Sequence, residues 1–448
     1  MRKTVSFALI ALVIIMTTFS SPAAAQDNQA RPDLRGPEAV EKLKETGQYE
    51  SLMEAVKAAR KENGQPTGEP NDLAVGQTTK LTASDGAVND FFGWSVAVSG
   101  DTAIVGAYAD DVGANSNQGS AYVFTRSGTT WSQQAQLTAA DGAPGDQFGY
   151  SVAISGDTVV VGASGDTVGA NPAQGSAYVF TRSGAAWTQQ QKLLAADGAA
   201  FDQFGGSVAI SGDTVLIGAS RDTIGASSNQ GSAYIFVRSG AAWSQQAQLL
   251  ASDGAANDQF GESVGISGDT AIVGAFAHTV GANAAQGSAY VFTRSGAAWT
   301  QQAQLTAADG AGNDQFGWSV AISGDTAVVG AYVGTVGANA VQGSAYVFVR
   351  SGAAWSQQQK LTAADGAAGD QFGWSVAISG NIIIVGARFD DVGFNNDQGS
   401  TYVFVRSGAV WSQQQKLTVA DGAAGDQFGY GVAISGSNMI VGAYLNNV

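Results

Sequence analysis

Seven times along this chain two aspartates stand five residues apart, from Asp85 and Asp90 through Asp141 and Asp146 to Asp421 and Asp426. Paired carboxylates are what a hard cation requires of its ligands. They also recur for a plainer reason, because a short carboxylate accepts hydrogen bonds from nearby backbone N–H groups and caps turns. A second series varies where the Asp pairs do not. The residue after each Phe-Gly step is Trp94, Tyr150, Gly206, Glu262, Trp318, Trp374 or Tyr430 in turn. Aromatic platforms beside a single acid suit sugar rings or a basic side chain, through stacking and cation–π contact. The same rings could instead pack the wall of a channel. His278, the only histidine, has neither a second His nor a Cys to build a zinc site with and no nucleophile to complete a triad. It reads as a solvated loop residue.

The elements that position these residues follow from one interval. The Phe-Gly steps begin at Phe92, Phe148, Phe204, Phe260, Phe316, Phe372 and Phe428, each 56 residues from the last, and such a period marks a repeat architecture. In the copy at Phe148, Ser151 to Ser155 alternates as a short strand. Gly156-Asp157 is a two-residue hairpin signal, since glycine takes the positive φ of a type II′ turn. Val159 to Ala163 is wholly apolar, as in a strand covered on both faces. After a loop of about a dozen residues, Ser176 to Phe180 is rich in aromatic and β-branched types. Ser183-Gly184 then turns the chain into a polar strand from Trp187 to Leu193. Four antiparallel strands per unit, the outermost polar, describe a propeller blade. A β-solenoid would need shorter coils and no paired hairpins. The fold class expected is all-β, a seven-bladed propeller.

Outside the repeats the chain changes character. Arg2 and Lys3, an apolar run near residues 7–16 and Ala23-Ala24-Ala25 read as a signal peptide over residues 1–25. The run is too short for a transmembrane helix. Residues 26–76 read as two amphipathic helices, near 37–45 and 49–62, and a linker. Residues 77–448 form the propeller, in which Gln77 to Thr82 align with a fourth strand and close the ring. The counterpart of Gln77 at full closure falls at 469, past Val448, so the last blade is expected to lack its third strand. Either the chain is clipped or the slot is open to a partner's strand. There is no cysteine, and only 10 of the 37 acidic residues fall in residues 1–78 against 9 of the 21 basic ones. The repeat region thus carries nearly all of the net charge of −16, which argues against nucleic acid as a partner.

The run Phe-Gly-x-Ser-Val-Ala, followed by an apolar strand that ends Val161-Gly162-Ala163, resembles the FG-GAP repeat of integrin α-subunits and of exported bacterial proteins. The resemblance covers residues 79–448. It implies a seven-bladed propeller in an exported protein, in the periplasm, on the cell surface or outside the cell. In integrin-like relatives the aromatics after Phe-Gly form a cup at the channel mouth. The family's calcium loop between the first two strands is here a two-residue turn with one Asp at most, so that site does not carry over. No cofactor is expected, with calcium at the Asp pairs as the open alternative. The candidate ligand-binding residues are Trp94, Tyr150, Glu262, Trp318, Trp374 and Tyr430. The six other tryptophans, Trp131 among them, fill one identical slot per blade and read as packing. The expected function is non-catalytic binding of an extracellular protein or glycan. A structural surface protein is the alternative, and a hydrolase using Glu262 with loop aspartates a weaker one.

Overall fold

A computed structural model describes residues 12–18 and 75–445, with side chains from Thr79 onward. Of the two compact units into which the chain divides, Met1–Met16 with Gln77–Val448 and Thr17–Gly76, the first holds the repeats. In the second blade the strands Phe148–Ser155, Thr158–Ala163, Ser176–Ser183 and Ala186–Leu193 pair antiparallel in sequence order. Five further sheets repeat this order of four consecutive strands. The seventh joins Val432–Ser435 and Asn438–Ala443 to Leu12–Thr18 and Val75–Leu81. The fold is an all-β propeller.

The last sheet both meets and corrects expectation. Val75–Leu81 is the fourth strand that the period places there. The repeats leave the seventh blade partial, as expected, and its third position pairs instead with Leu12–Thr18, from the segment read as a signal peptide. Its sequence, Leu-Val-Ile-Ile-Met-Thr-Thr, is apolar and β-branched like the third strands elsewhere. It also covers two strand edges whose N–H and C=O groups would otherwise lack partners. The helices expected near 37–45 and 49–62 lie outside the described residues.

The second strand of each blade explains the core. Thr158–Ala163 is buried along its whole length, because neighbouring blades cover both of its faces. One cluster unites Ile104, Val123 and Leu137 of the first blade with Phe148, Val161 and Tyr178 of the second. Phe148 is fully buried, with its ring edge-on to Tyr178 at 5.4 Å and to Phe180 at 5.9 Å. Burial of such a side chain contributes about 1.5–3 kcal/mol.

The glycines of the motif have a steric cause. A Cβ on Gly162 would collide with the carbonyl oxygen of Gly205 in the next blade. Gly149, at a φ of +93°, passes equally close to the Ser120 carbonyl of the blade before. The serine of the motif works across the same seam, where Ser151 Oγ donates to Gly205 O at 2.7 Å. Phe-Gly and Gly-Ala are thus the two sides of one close backbone approach.

Outer clips reinforce the seams. Asp157 accepts from Arg182 Nε at 2.7 Å, and Arg182 Nη1 reaches Thr102 Oγ1 of the preceding blade at 2.9 Å. Trp187 lies 5.2 Å from that guanidinium and donates Nε1–H to Gln134 of the same neighbour at 2.8 Å. The ring closes by one of its repeated bonds. Gly156 N donates to Ser99 Oγ at 3.2 Å, and Gly100 N donates to Ser435 Oγ of the last sheet at the same distance.

Candidate functional site at the channel mouth

Backbone geometry aims one side chain per blade at the central channel. Gln147 and Gly149 both take positive φ, at +60° and +93°, and Tyr150 N donates to Gln147 O at 3.1 Å. This tight turn throws the residue after Phe-Gly inward at the start of the innermost strand. Trp94, Tyr150, Glu262, Trp318, Trp374 and Tyr430 accordingly line a single cavity of about 560 Å³, together with Gly206.

Five of these residues form a continuous arc. Trp318 and Trp374 have ring centres 4.8 Å apart, Trp374 and Tyr430 5.4 Å, Tyr430 and Trp94 4.5 Å, and Trp94 and Tyr150 5.6 Å. A second tier wedges between them, built from the residue that follows Gly-Ala at the end of the second strand. Tyr108 packs at 4.8 Å from Trp94 and 5.4 Å from Tyr150. Tyr332 bridges Trp318 and Trp374, and Tyr444 bridges Tyr430 and Trp94. Arg388 holds the same position in the sixth blade. Its guanidinium lies 3.3 Å from the Trp374 ring centre and donates to Gln371 Oε1 at 2.8 Å. Trp374, clamped in this way, is 9% exposed.

The arc breaks across the second to fourth blades. The first tier there becomes Gly206 and Glu262, and the second tier becomes Ser164 and Ser220. A side recess of about 220 Å³ opens in the gap, lined by Gln203, Gln259, Ser220, Arg221 and Glu262 between the rings of Tyr150 and Trp318. Desolvation pushes the Glu262 carboxyl above its ordinary range, against a hydrogen bond from Ser220 and the nearby charge of Arg221. Burial and the Glu262 charge push the Tyr150 hydroxyl up to about 12. Gln147 accepts from Ser164 at 3.2 Å. The equivalent carboxamides of Gln203 and Gln259 have no hydrogen-bond partner among the described residues.

The Asp pairs spend their oxygens within the fold. Asp146 Oδ2 accepts from Ala143 N at 2.6 Å, as the second Asp does at each inter-blade turn described. The first Asp serves the seam, where Asp141 accepts from Tyr178 at 2.9 Å and from Lys192 at 2.7 Å. Among the described residues no group of three or more His, Cys, Asp or Glu side chains is arranged to hold a metal. His278 is corrected. It is buried, not solvated, and stands where other blades place Asp166 or Asp222. Its Nδ1 lies 2.9 Å from Ser288 Oγ and its Nε2 3.5 Å from Asp253. A loop that folds back on its own blade makes even a polar residue part of the seam.

Sequence reading placed the first tier at the mouth and missed how the second tier interleaves with it. The signal was present, since 108, 164, 220, 276, 332, 388 and 444 keep the 56-residue step. Arg221 and Arg388 carried only a weak sign, as charges in slots otherwise apolar or small.

Among the described residues no helix is long and apolar enough to cross a membrane. Compared with known families, the chain matches the FG-GAP repeat seven times, at residues 75–124, 131–180, 187–236, 243–292, 299–348, 355–404 and 411–448. Each match but the last begins in the outer strand of one blade and runs through the three inner strands of the next; the last runs through two. No curated protein matches the chain.

Proposed function

Because the chain belongs to the FG-GAP repeat family, we propose that it is an exported, non-catalytic recognition module that binds an extracellular glycan or protein at the channel mouth. One observation carries this reading. The structural positions repeat from blade to blade, whereas the residues at the mouth differ and still assemble six aromatic rings, Arg388 and Glu262 around one cavity, with Arg221 in the recess beside it. Packing alone needs no such asymmetry. Half-buried Trp and Tyr supply large contact area at low entropic cost and retain a polar edge for hydrogen bonding. A propeller is a scaffold for many activities, so the function rests on the site and not on the fold.

The arginine and Asp clips face the seams, which leaves the mouth as the variable surface. The family favours export, and the negative net charge favours partners other than nucleic acid.

The test is a glycan array, with a matched panel of extracellular proteins, probed with the full chain in calcium and again in chelator. A specific hit that Trp94→Ala with Trp318→Ala removes, while the melting temperature stays within a few degrees, supports the cup. Loss of binding in chelator alone would move the site to the Asp pairs. Hits on neither panel would overturn the recognition reading in favour of a structural role.

A further inference from the structure

The recess between the second and fourth blades differs from the rest of the mouth in what it offers a ligand. Its walls are rings, since Tyr150 and Trp318 stand on either side with Phe276 beside Trp318 at 4.9 Å. Its floor is polar. Gln203 and Gln259 present carboxamides without hydrogen-bond partners among the described residues, each able to donate and accept. Glu262 and Ser220 add a carboxylate and a hydroxyl, and Arg221 stands exposed at the rim.

Three features of the recess restrict its occupant. Its volume, about 220 Å³, is below the roughly 300–1,000 Å³ of drug-sized ligand sites, which leaves room for one ring and not for a chain. Charge favours neither sign of ion, because one cation, Arg221, and one carboxyl, Glu262, line the recess together. The carboxamides of Gln203 and Gln259 disfavour an apolar group, which would strand them. A neutral ring with hydroxyls around its edge and an apolar face satisfies all three. Its face stacks on Trp318 or Tyr150, while its hydroxyls exchange hydrogen bonds with Gln203, Gln259 and Glu262.

We propose that this recess is a sugar-binding subsite that takes one neutral pyranose ring, the end unit of a glycan whose remaining units lie along the aromatic arc. The proposal rests on the recognition reading above and deepens it. It also explains Gly206. The glycine is not demanded by the backbone, since its φ is not positive and an added Cβ would meet only Gln203 O at 3.2 Å. The other blades carry Trp, Tyr or Glu on the same turn. The missing side chain makes the space.

That tolerance supplies the test. Gly206→Trp restores the missing aromatic and fills the recess without asking the backbone for a new conformation. Binding of neutral monosaccharides (glucose, galactose, mannose and N-acetylglucosamine) to the full chain is followed by saturation-transfer NMR and tryptophan fluorescence. At least one is expected to bind, and Gly206→Trp is expected to weaken it tenfold or more with the melting temperature held. Gln203→Ala with Gln259→Ala gives a second route to the same loss should the bulky variant misfold.

Monosaccharide binding unchanged in both variants would overturn the subsite. If an array glycan binds, depends on Trp94 and ignores Gly206→Trp, the cup stands and the subsite falls. If the wild-type chain retains no neutral sugar but binds a protein on the panel, the subsite falls and the broader recognition reading survives. Failure of every probe sinks both.

Discussion

The seams between blades and the mouth of the channel are built from one repeat, yet they treat its positions in opposite ways. At the seams Phe148, Phe204, Phe260, Phe316 and Phe372 are each fully buried, and each meets a Tyr and a Phe edge at nearly the same spacing. At the mouth, two residues further along, the same turn carries Trp, Tyr, Gly or Glu. The seam is a contact between copies, so a change on one side must be matched on the other. The mouth is a surface shared by all copies, where one residue can change alone. Uniformity therefore marks what holds the ring together, and variation marks what the ring presents.

The comparison breaks most decisively if a seam residue proves dispensable. Phe260→Ala removes a fully buried ring and should cost about 3–5 kcal/mol, read as a lowered urea midpoint, while Trp94→Ala at the half-buried mouth should cost far less. Equal losses at the two positions would show that the mouth is as structural as the seam.

Glycines sharpen the contrast. Gly162→Ala drives a methyl into the Gly205 carbonyl and should destabilise by about 1–3 kcal/mol, as overpacking does. Gly206→Ala, on the mouth turn, should change the melting temperature by no more than a degree or two. The reverse order would refute the steric account of the motif.

A pH titration separates the two regions by their charges. Burial raises Asp90, Asp202 and Asp370 at the seams to about 6, with neighbouring aspartates adding to it in each case. A carboxyl raised above its unfolded value of 3.8 binds more protons in the folded state between the two values. Stability therefore rises as pH falls from 7.5 towards 5, and the melting temperature should climb by several degrees. Below about 4 the trend reverses, because hydrogen bonds and ion pairs with lysine hold Asp141, Asp309 and Asp365 below their ordinary value and that stability is lost on protonation. A melting temperature that falls steadily from pH 7.5 to 5 would contradict the buried placement of these carboxylates.

Most of the fold was legible in the sequence because it is written seven times. The two-residue hairpin at Gly156-Asp157, the doubly covered strand at Val159 to Ala163 and the turn-capping role of Asp146 each follow from local chemistry repeated in register. What escaped the sequence is non-local or occurs once. The strand Leu12–Thr18 lies far along the chain from the sheet it joins, and no period points to it. His278 looked solvated because its burial depends on Ser288 and Asp253, ten and twenty-five residues away. The six mouth residues were found from variation among copies. The recess was not, since it is defined by the absence of a side chain at Gly206 and by which neighbours leave the carboxamides of Gln203 and Gln259 unbonded, as those at Gln147 and Gln371 are not.

The smallest effect tests whether the seams vary within their own rules. Lys192 bridges Asp141 and Asp166 in the second blade, each at 2.7 Å, and Lys416 does the same between Asp365 and Asp390 in the sixth. In the first blade Gln136 takes that place, 3.3 Å from Asp110. Lys192→Gln thus converts one blade to another's pattern and keeps a hydrogen-bond donor. It should cost on the order of 1 kcal/mol at pH 7, the scale of a partly exposed ion pair. Less should be lost in concentrated salt, which screens the partly exposed pair. A cost that salt leaves unchanged would mean that the lysine does something other than neutralise its two aspartates.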